Sequence, residues 1–120
     1  MARIPCWNTH ADENLVEGEM PVDRRTHQVF GILHGGASVV LAETLGSIGA
    51  QLCAPQGTQC VGLEINANHI KATKTGKVIG RATPIHVGKT TQVWEIKITT
   101  GEQKLVCISR ITVAVIPARF

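Results

Sequence analysis

The chain has 120 residues, a length that limits it to one domain with one core. Its net charge is +3. Hydrophobic residues make up 43% of the sequence, yet it contains only two Trp, two Phe and no Tyr. The core must therefore be built from Val, Ile, Leu and Ala. The dispersed basic residues lack the interleaved aromatic side chains of an RNA-binding sheet, so nucleic acid is disfavoured as a partner.

The four cysteines lie far apart and form no C-x-x-C pair, and no Cys or His spacing fits a metal site. Free thiols are typical of a reducing cytosol. The segment from Met1 to Trp7 has no apolar stretch of the kind found in signal peptides. We therefore expect a cytoplasmic protein without a bound metal.

The N-terminal segment 1–14 is polar and aperiodic, and we expect it to be loosely ordered. Residues 15–120 are expected to form the single folded domain. Leu15–Val22 alternates in polarity, which predicts a strand, and Pro21–Arg25 follows as a turn or loop.

A long helix is predicted next, from Gly35 or Gly36 to about Cys53, because Pro55 follows shortly afterwards. Apart from Glu43 this helix is nearly apolar all round, which predicts that other elements enclose it. The charge and several glycines make it a poor membrane-spanning segment. We therefore expect a buried helix in a soluble protein and no membrane partner.

The sequence after the helix is rich in Val, Ile and Thr with a period of two, and Thr100–Gln103 resembles a hairpin turn. In one segment Trp94, Ile96 and Ile98 would share a face. Four strands are predicted: Gln59–Ile70, Gly76–His86, Thr91–Thr100 and Lys104–Ile116.

This order of elements favours an α+β fold with an antiparallel sheet curled around one helix. A helix of this length would extend about 28 Å, at about 1.5 Å per residue. Five strands cannot cover it completely, so we expect a second subunit to cover part of the helix and one edge of the sheet.

Glu43 is the only charged residue between His34 and Pro55. A carboxylate within an apolar helix is a candidate for catalysis, because ionised carboxylates are rarely buried without a partner. Structural ion pairs and solvated helix edges produce the same pattern. The residues alone leave both interpretations open.

The sequence His34-Gly35-Gly36 immediately precedes the helix, where unpaired backbone N–H groups could stabilise a developing oxyanion. Glu43 lies about 12 Å further along the axis, too far to act on an atom held there. Either the site lies elsewhere, or a second subunit brings its Gly35 to Glu43. A simple turn before a helix would also explain the two glycines.

The stretch from Arg25 to Ser47 closely resembles the signature of hotdog-fold acyl-CoA thioesterases. It is most similar to the branch that hydrolyses aroyl-CoA esters, including 1,4-dihydroxy-2-naphthoyl-CoA, and that contains the proofreading thioesterase of enterobactin biosynthesis. Val61–His69, His86–Gly88 and Gln92–Trp94 continue the resemblance in the same order. The similarity extends from about Leu15 to Ala114.

This resemblance implies a hotdog fold, in which a five-stranded antiparallel sheet, or six strands with an N-terminal piece, wraps around the long helix. It implies hydrolysis of an acyl-CoA, with an aromatic acyl group such as benzoyl or hydroxynaphthoyl, to the free acid and CoA. CoA is part of the substrate, and no cofactor is expected. The implied assembly is a homodimer or a dimer of dimers (a homotetramer), with the active site between subunits.

The resemblance also implies residue roles. Glu43 would be the nucleophile or general base, the Gly35 amide would polarise the thioester carbonyl, and Gln28 would orient the thioester or water. His34 would lie beside the leaving sulfur, and Ser47 would line the acyl or water side. Contacts with the nucleotide and pantetheine of CoA are implied for Gly62, His69, Lys71, His86, Gly88, Lys89 and Thr90.

Two features depart from the family. Residues 1–14 do not match it, and Lys71 stands where relatives often have Arg, which binds phosphate in a bidentate manner. Two other functions remain open: a hotdog hydratase or dehydratase, although Glu43 has no His beside it on the helix, and a non-catalytic acyl-CoA binding module.

Overall fold

The computed structural model describes residues 4–119, in which one helix packs against a six-stranded antiparallel sheet. The strands follow the order β1-β2-β4-β5-β6-β3, so β1 and β3 form the two edges. The elements are β1 Trp7–Ala11, β2 Val16–Pro21, α1 Gly35–Cys53, β3 Thr58–His69, β4 Lys77–Val87, β5 Thr91–Thr100 and β6 Leu105–Pro117.

The predicted α+β hotdog architecture is confirmed, with the helix at its expected position and the four later strands each found within one residue of their predicted ends. The predicted turn after β5 is present: the Thr100 N–H donates to the Lys104 carbonyl over 2.9 Å. Gln103 adopts a φ of 65°, which closes this hairpin.

The expectation that the N-terminal segment is loosely ordered was wrong for Trp7–Ala11, which forms the edge strand β1. This strand pairs with β2, with Trp7 opposite Glu19 and Ala11 opposite Val16. All five of its residues are exposed, so no alternation of polar and apolar residues marks it in the sequence. The sheet therefore has six strands, the larger of the two numbers expected.

The core lies between the inner face of the sheet and one face of α1. Trp94, Ile96 and Ile98 of β5 are fully buried on that inner face, as their alternation predicts. Gly49 lets the helix approach Trp94 closely, because a β-carbon at Gly49 would stand 2.6 Å from the indole ring. The missing side chain therefore sets the spacing between helix and sheet.

A buried polar contact fixes the C-terminal half of α1 to β5. The Gln92 side-chain amide donates to the Ala50 carbonyl over 3.0 Å, and the Trp94 indole N–H donates to Gln92 Oε1 over 2.8 Å. Buried polar groups that are satisfied in this way cost little and restrict the packing to one arrangement.

The sheet leaves one face of α1 uncovered, as expected for a helix of this length in a single chain. Glu43, Thr44, Ser47 and Gln51 are exposed, because a single sheet covers only one side of the helix. By length and composition α1 could cross a membrane, but it packs on the sheet as the core helix of the fold. The exposed face lies where a second subunit was expected.

Candidate active site

His34 forms the N-cap of α1. Its backbone is extended, and its Nδ1 accepts a hydrogen bond from the Gly36 N–H over 2.8 Å. Since Nδ1 accepts, a neutral ring carries its proton on Nε2. The ring borders a hollow of about 280 Å³ together with His27, Gly36 and Val40.

The amide of Gly35 is the free donor at the start of the helix. The Ala37 and Ser38 N–H groups donate to the His34 carbonyl over 3.0 and 3.3 Å, and the Gly36 N–H is taken by the cap. Within residues 4–119, the Gly35 N–H has no acceptor. It therefore remains available to a ligand at the positive end of the helix dipole.

Four of the residues predicted for the site line one cavity of about 290 Å³ beside the helix start. They are Gln28, Gly35, His69 and Lys71. Three parts of the fold meet there: the loop before α1, the first turn of α1 and the segment that follows β3. Ser38, which the sequence did not single out, lines the same cavity.

The loop before α1 holds Gln28 in a tight turn. Its N–H donates to the Ile32 carbonyl over 2.8 Å, and Gly31 supplies the positive φ of 77° that closes the turn. The Phe30 N–H donates to Gln28 Oε1, which leaves the side-chain NH₂ as the group free to donate. Val29 and Phe30, at the tip, are 93% and 83% exposed.

An ion pair stabilises the beginning of this loop. Asp23 accepts hydrogen bonds from the Arg25 side chain and, over 2.9 Å, from the Arg25 N–H. Both interactions favour the ionised carboxylate and lower the pKa of Asp23 from 3.8 to about 2.

Strand pairing carries His69 and Lys71 to the cavity. His69 pairs with Cys107 of β6, and the Lys71 N–H donates to the Val106 carbonyl over 3.2 Å. A β-carbon at Gly35 would stand 3.0 Å from His69 Nε2, so the imidazole lies directly against the helix start. The sequence could not show this convergence, because it depends on the register between β3 and β6.

Glu43 lies on the exposed face of α1, beside the edge strand β3. A β-carbon at Gly62 would stand 3.8 Å from Glu43 Oε2. Among residues 4–119, no hydrogen bond or ion pair engages the carboxylate. Of the two ordinary interpretations that the sequence left open, the ion pair is therefore not found, and the carboxylate is directed towards solvent.

Apart from His34, the predicted residues fall into two groups that do not meet within one chain. Gly62 pairs with Val113 of β6, whereas His69 pairs with Cys107. These two residue pairs are about 20 Å apart along the strands, at about 3.3 Å per residue. His86, near the end of β4, and the turn with Gly88, Lys89 and Thr90 lie at the Gly62 end, because the Val115 N–H donates to the Thr90 carbonyl over 2.8 Å.

Glu43 and Ser47 share the exposed helix face, away from the cavity, and His34 borders the second hollow. Each chain therefore carries a cavity with a free amide and, separately, an unpaired carboxylate beside Gly62. Within residues 4–119, no three His, Cys, Asp or Glu side chains converge as ligands for a metal ion.

The long helix against a curved antiparallel sheet defines the chain as a hotdog-fold protein. The family model of the Thioesterase superfamily matches residues 30–107. The chain belongs to the thioesterase superfamily and is a thioesterase.

Named relatives and a solved structure agree with this family. The chain is 49% identical to the 1,4-dihydroxy-2-naphthoyl-CoA hydrolase of Escherichia coli, over 89% of this chain and 79% of the relative. It is 46% identical to the proofreading thioesterase EntH of Klebsiella pneumoniae, over 97% of this chain and 85% of the relative. The crystal structure of a thioesterase from Haemophilus influenzae superposes with a TM-score of 0.91 at 50% identity, over 96% of this chain and 80% of that one.

Proposed function

We propose that the protein hydrolyses an aromatic acyl-CoA thioester to the free acid and CoA, at a site shared by two copies of the chain. The observation that carries this proposal is the separation of the free Gly35 amide from the unpaired Glu43 carboxylate on one rigid helix, about 12 Å apart. A site that needs both groups takes one from each chain of a homodimer, which can pair further into a homotetramer.

The chemistry divides between the two chains. The Gly35 amide of one chain donates to the thioester carbonyl oxygen, and the Gln28 NH₂ in the same cavity orients the thioester or the water. Glu43 of the other chain attacks the carbonyl carbon, or removes a proton from the water that does. Collapse of the tetrahedral intermediate breaks the C–S bond and expels the CoA thiolate beside His34, whose Nε2–H can donate a hydrogen bond to the sulfur. In the general-base route the free acid is formed directly, and the proton held by Glu43 completes the free thiol. In the nucleophilic route water then hydrolyses the acyl–Glu43 anhydride, which releases the free acid, restores the carboxylate and supplies the proton for the thiol. Ser47 lines the acyl or water side.

CoA extends away from the carbonyl over both chains. His69 and Lys71 border the cavity next to Gly35, where the Lys71 ammonium can meet a phosphate. Gly62, His86, Gly88, Lys89 and Thr90 lie at the other end of the sheet and serve the Glu43 side of the shared site. CoA is the substrate's own carrier, so the reaction takes no further cofactor. The four free thiols fit a cytosolic location.

The aromatic acyl group is supported by the E. coli relative, whose name specifies a hydroxynaphthoyl-CoA substrate. The test is release of free thiol from benzoyl-CoA and 1,4-dihydroxy-2-naphthoyl-CoA, compared with an aliphatic acyl-CoA. We expect a higher kcat/KM for the aromatic thioesters. Thiol release also separates hydrolysis from hydration or simple binding, both of which leave the thioester intact.

The role of Glu43 is tested by Glu43→Gln, which should lower kcat by about 10²- to 10⁴-fold, the usual contribution of a positioned base. Stability should not change, because the carboxylate is exposed and makes no ion pair within residues 4–119. Glu102→Gln, in the exposed turn after β5, is the matched control and should retain full activity. Equal rates for the two variants would remove Glu43 from the mechanism.

Sharing of the site is tested by mixing two inactive variants, Glu43→Ala and Gly35→Val, after joint unfolding and refolding. Only a mixed dimer contains one site with both native groups. Random pairing of equal amounts should restore about a quarter of the wild-type activity per site. Activity that stays at the level of the separate variants would place both groups in one chain.

A further inference from the structure

Ser38 is an almost completely buried polar side chain that borders the cavity. It is 1% exposed and lines the cavity together with Gln28 and Gly35. Its hydroxyl has no hydrogen-bond partner among residues 4–119, although every fully enclosed side-chain nitrogen or oxygen of those residues has one. The small surface that Ser38 retains therefore belongs to its hydroxyl oxygen, which opens onto the cavity.

The helix geometry directs this hydroxyl towards the free amide. Cα–Cβ bonds tilt towards the helix N-terminus, so a side chain covers the turn before its own α-carbon. Ser38 follows Gly35 by three residues and lies on the same face. The hydroxyl and the Gly35 N–H therefore border the same part of the cavity.

A hydroxyl on a helix usually donates to the carbonyl four residues earlier, but for Ser38 this carbonyl already accepts other hydrogen bonds. Thr44 shows the ordinary pattern, since its hydroxyl donates to the Val40 carbonyl over 2.7 Å. For Ser38 the equivalent acceptor is the His34 carbonyl, which already accepts from the Ala37 and Ser38 amides. A buried hydroxyl left without a partner is unfavourable by about 1–3 kcal/mol, so this group is placed to bind a ligand or water.

We propose that the Ser38 hydroxyl is a second hydrogen-bond donor to the thioester carbonyl oxygen, next to the Gly35 N–H. This inference rests on the proposed thioester hydrolysis. Negative charge develops on the carbonyl oxygen as the tetrahedral intermediate forms, and the hydroxyl donates to it while keeping its own proton. Two donors in fixed positions stabilise this charge more than one.

The first experiment compares Ser38→Ala with Ser109→Ala, a matched buried serine. Ser109 is 2% exposed, but its hydroxyl donates to the Asn66 carbonyl over 2.7 Å and so has a structural partner. Ser38→Ala should lower kcat by about 10- to 100-fold, up to the lower end of the about 10²- to 10³-fold loss seen when an oxyanion donor is removed. Its KM should change less than about threefold and its Tm should not fall. Ser109→Ala should show the reverse, a lower Tm with kcat retained.

The second experiment measures the carbonyl directly. Benzoyl-CoA in which a methylene replaces the sulfur is a ketone that cannot be hydrolysed in this way, and the infrared stretch of its ¹³C-labelled carbonyl reports hydrogen bonding. We expect the stretch to lie at lower frequency when the ketone is bound to the wild type, and to move back towards the free value in Ser38→Ala.

The outcomes separate the two proposals. If the wild type hydrolyses aroyl-CoA while Ser38→Ala keeps both its kcat and its carbonyl frequency, the role of Ser38 is overturned and the hydrolysis stands. If the wild type hydrolyses no aroyl-CoA, the proposed function fails, and the carbonyl frequency of the bound ketone still decides whether Ser38 donates. If the wild type does not bind the ketone either, both proposals are overturned.

Discussion

The imidazole of His69 lies against the backbone of Gly35. A β-carbon built on Gly35 would stand 3.0 Å from His69 Nε2 and 3.1 Å from Cε1. The end of β3 and the start of α1 therefore meet at a position without a side chain. Gly35 does not adopt a positive φ, so its backbone would accept alanine. A side chain at this position would instead fill the space in front of the Gly35 amide.

Gly35→Ala should lower kcat/KM by at least about tenfold with little change in Tm. The added methyl group occupies the cavity beside the amide, whereas the fold is little affected because Gly35 has no positive φ and the methyl group meets only the end of the His69 side chain, which can shift. Thiol release and thermal unfolding measure the two effects. Because His69 also borders the proposed CoA site, the double variant Gly35→Ala/His69→Ala, which lacks the close contact, is compared with His69→Ala alone, and we expect the same loss of kcat/KM. Equal kcat/KM in these two variants would assign the loss to the position of His69 instead.

The cap at His34 should contribute to stability separately from catalysis. His34→Ala removes the acceptor of the Gly36 N–H and should destabilise the fold by about 1 kcal/mol, or about 4 °C in Tm. His34→Asn restores a strong N-cap and should return Tm to within about 2 °C of the wild type. Its kcat should remain at least about tenfold lower, because only the ring carries Nε2–H. An Asn variant with wild-type kcat would reduce the role of His34 to capping.

The contact between Gly49 and Trp94 should be one of the least tolerant in the core. Gly49→Ala places a β-carbon 2.6 Å from a fully buried ring, and overpacking of this kind costs about 1–3 kcal/mol. Urea unfolding measures this loss. Gly101→Ala is the matched control, since no atom lies within 4 Å of its added carbon, and it should be nearly neutral.

The Asp23–Arg25 pair should make stability depend on pH at the acid end. The pKa of Asp23 is lowered to about 2 in the folded chain from 3.8, so the unfolded chain binds the proton more readily between these values. The contribution is therefore complete above about pH 4 and is lost as the pH falls towards 2. Tm measured from pH 7 to pH 2 for the wild type and Asp23→Asn should show a difference that disappears over this range. A constant difference would contradict this linkage.

The elements whose sequence period matches their burial could be predicted from the sequence. Trp94, Ile96 and Ile98 alternate and all face the core. β1 could not be predicted in this way, because both of its faces are exposed and its pairing with β2 depends on backbone hydrogen bonds. Which face of α1 is exposed could not be decided from the sequence, because small residues such as Gly and Ala look apolar whether or not the sheet covers them.

The candidate site could be predicted only in part, and for a related reason. Gly35 could be predicted, because the first backbone N–H groups of a helix have no partner within the helix. His69 and Lys71 lie near Gly35 because of the register between β3 and β6, which the sequence does not specify. Ser38 was missed because a helical serine usually bonds to the preceding turn, and only the structure shows that this acceptor is already taken.

Gly35 and Glu43 lie on one continuous helix, which keeps them at a fixed separation. No loop movement within a chain can shorten that distance. If each site needs two chains, turnover per chain follows the fraction of chains that are associated. Diluting the enzyme below its dissociation constant would then switch it off without altering a single residue of the fold.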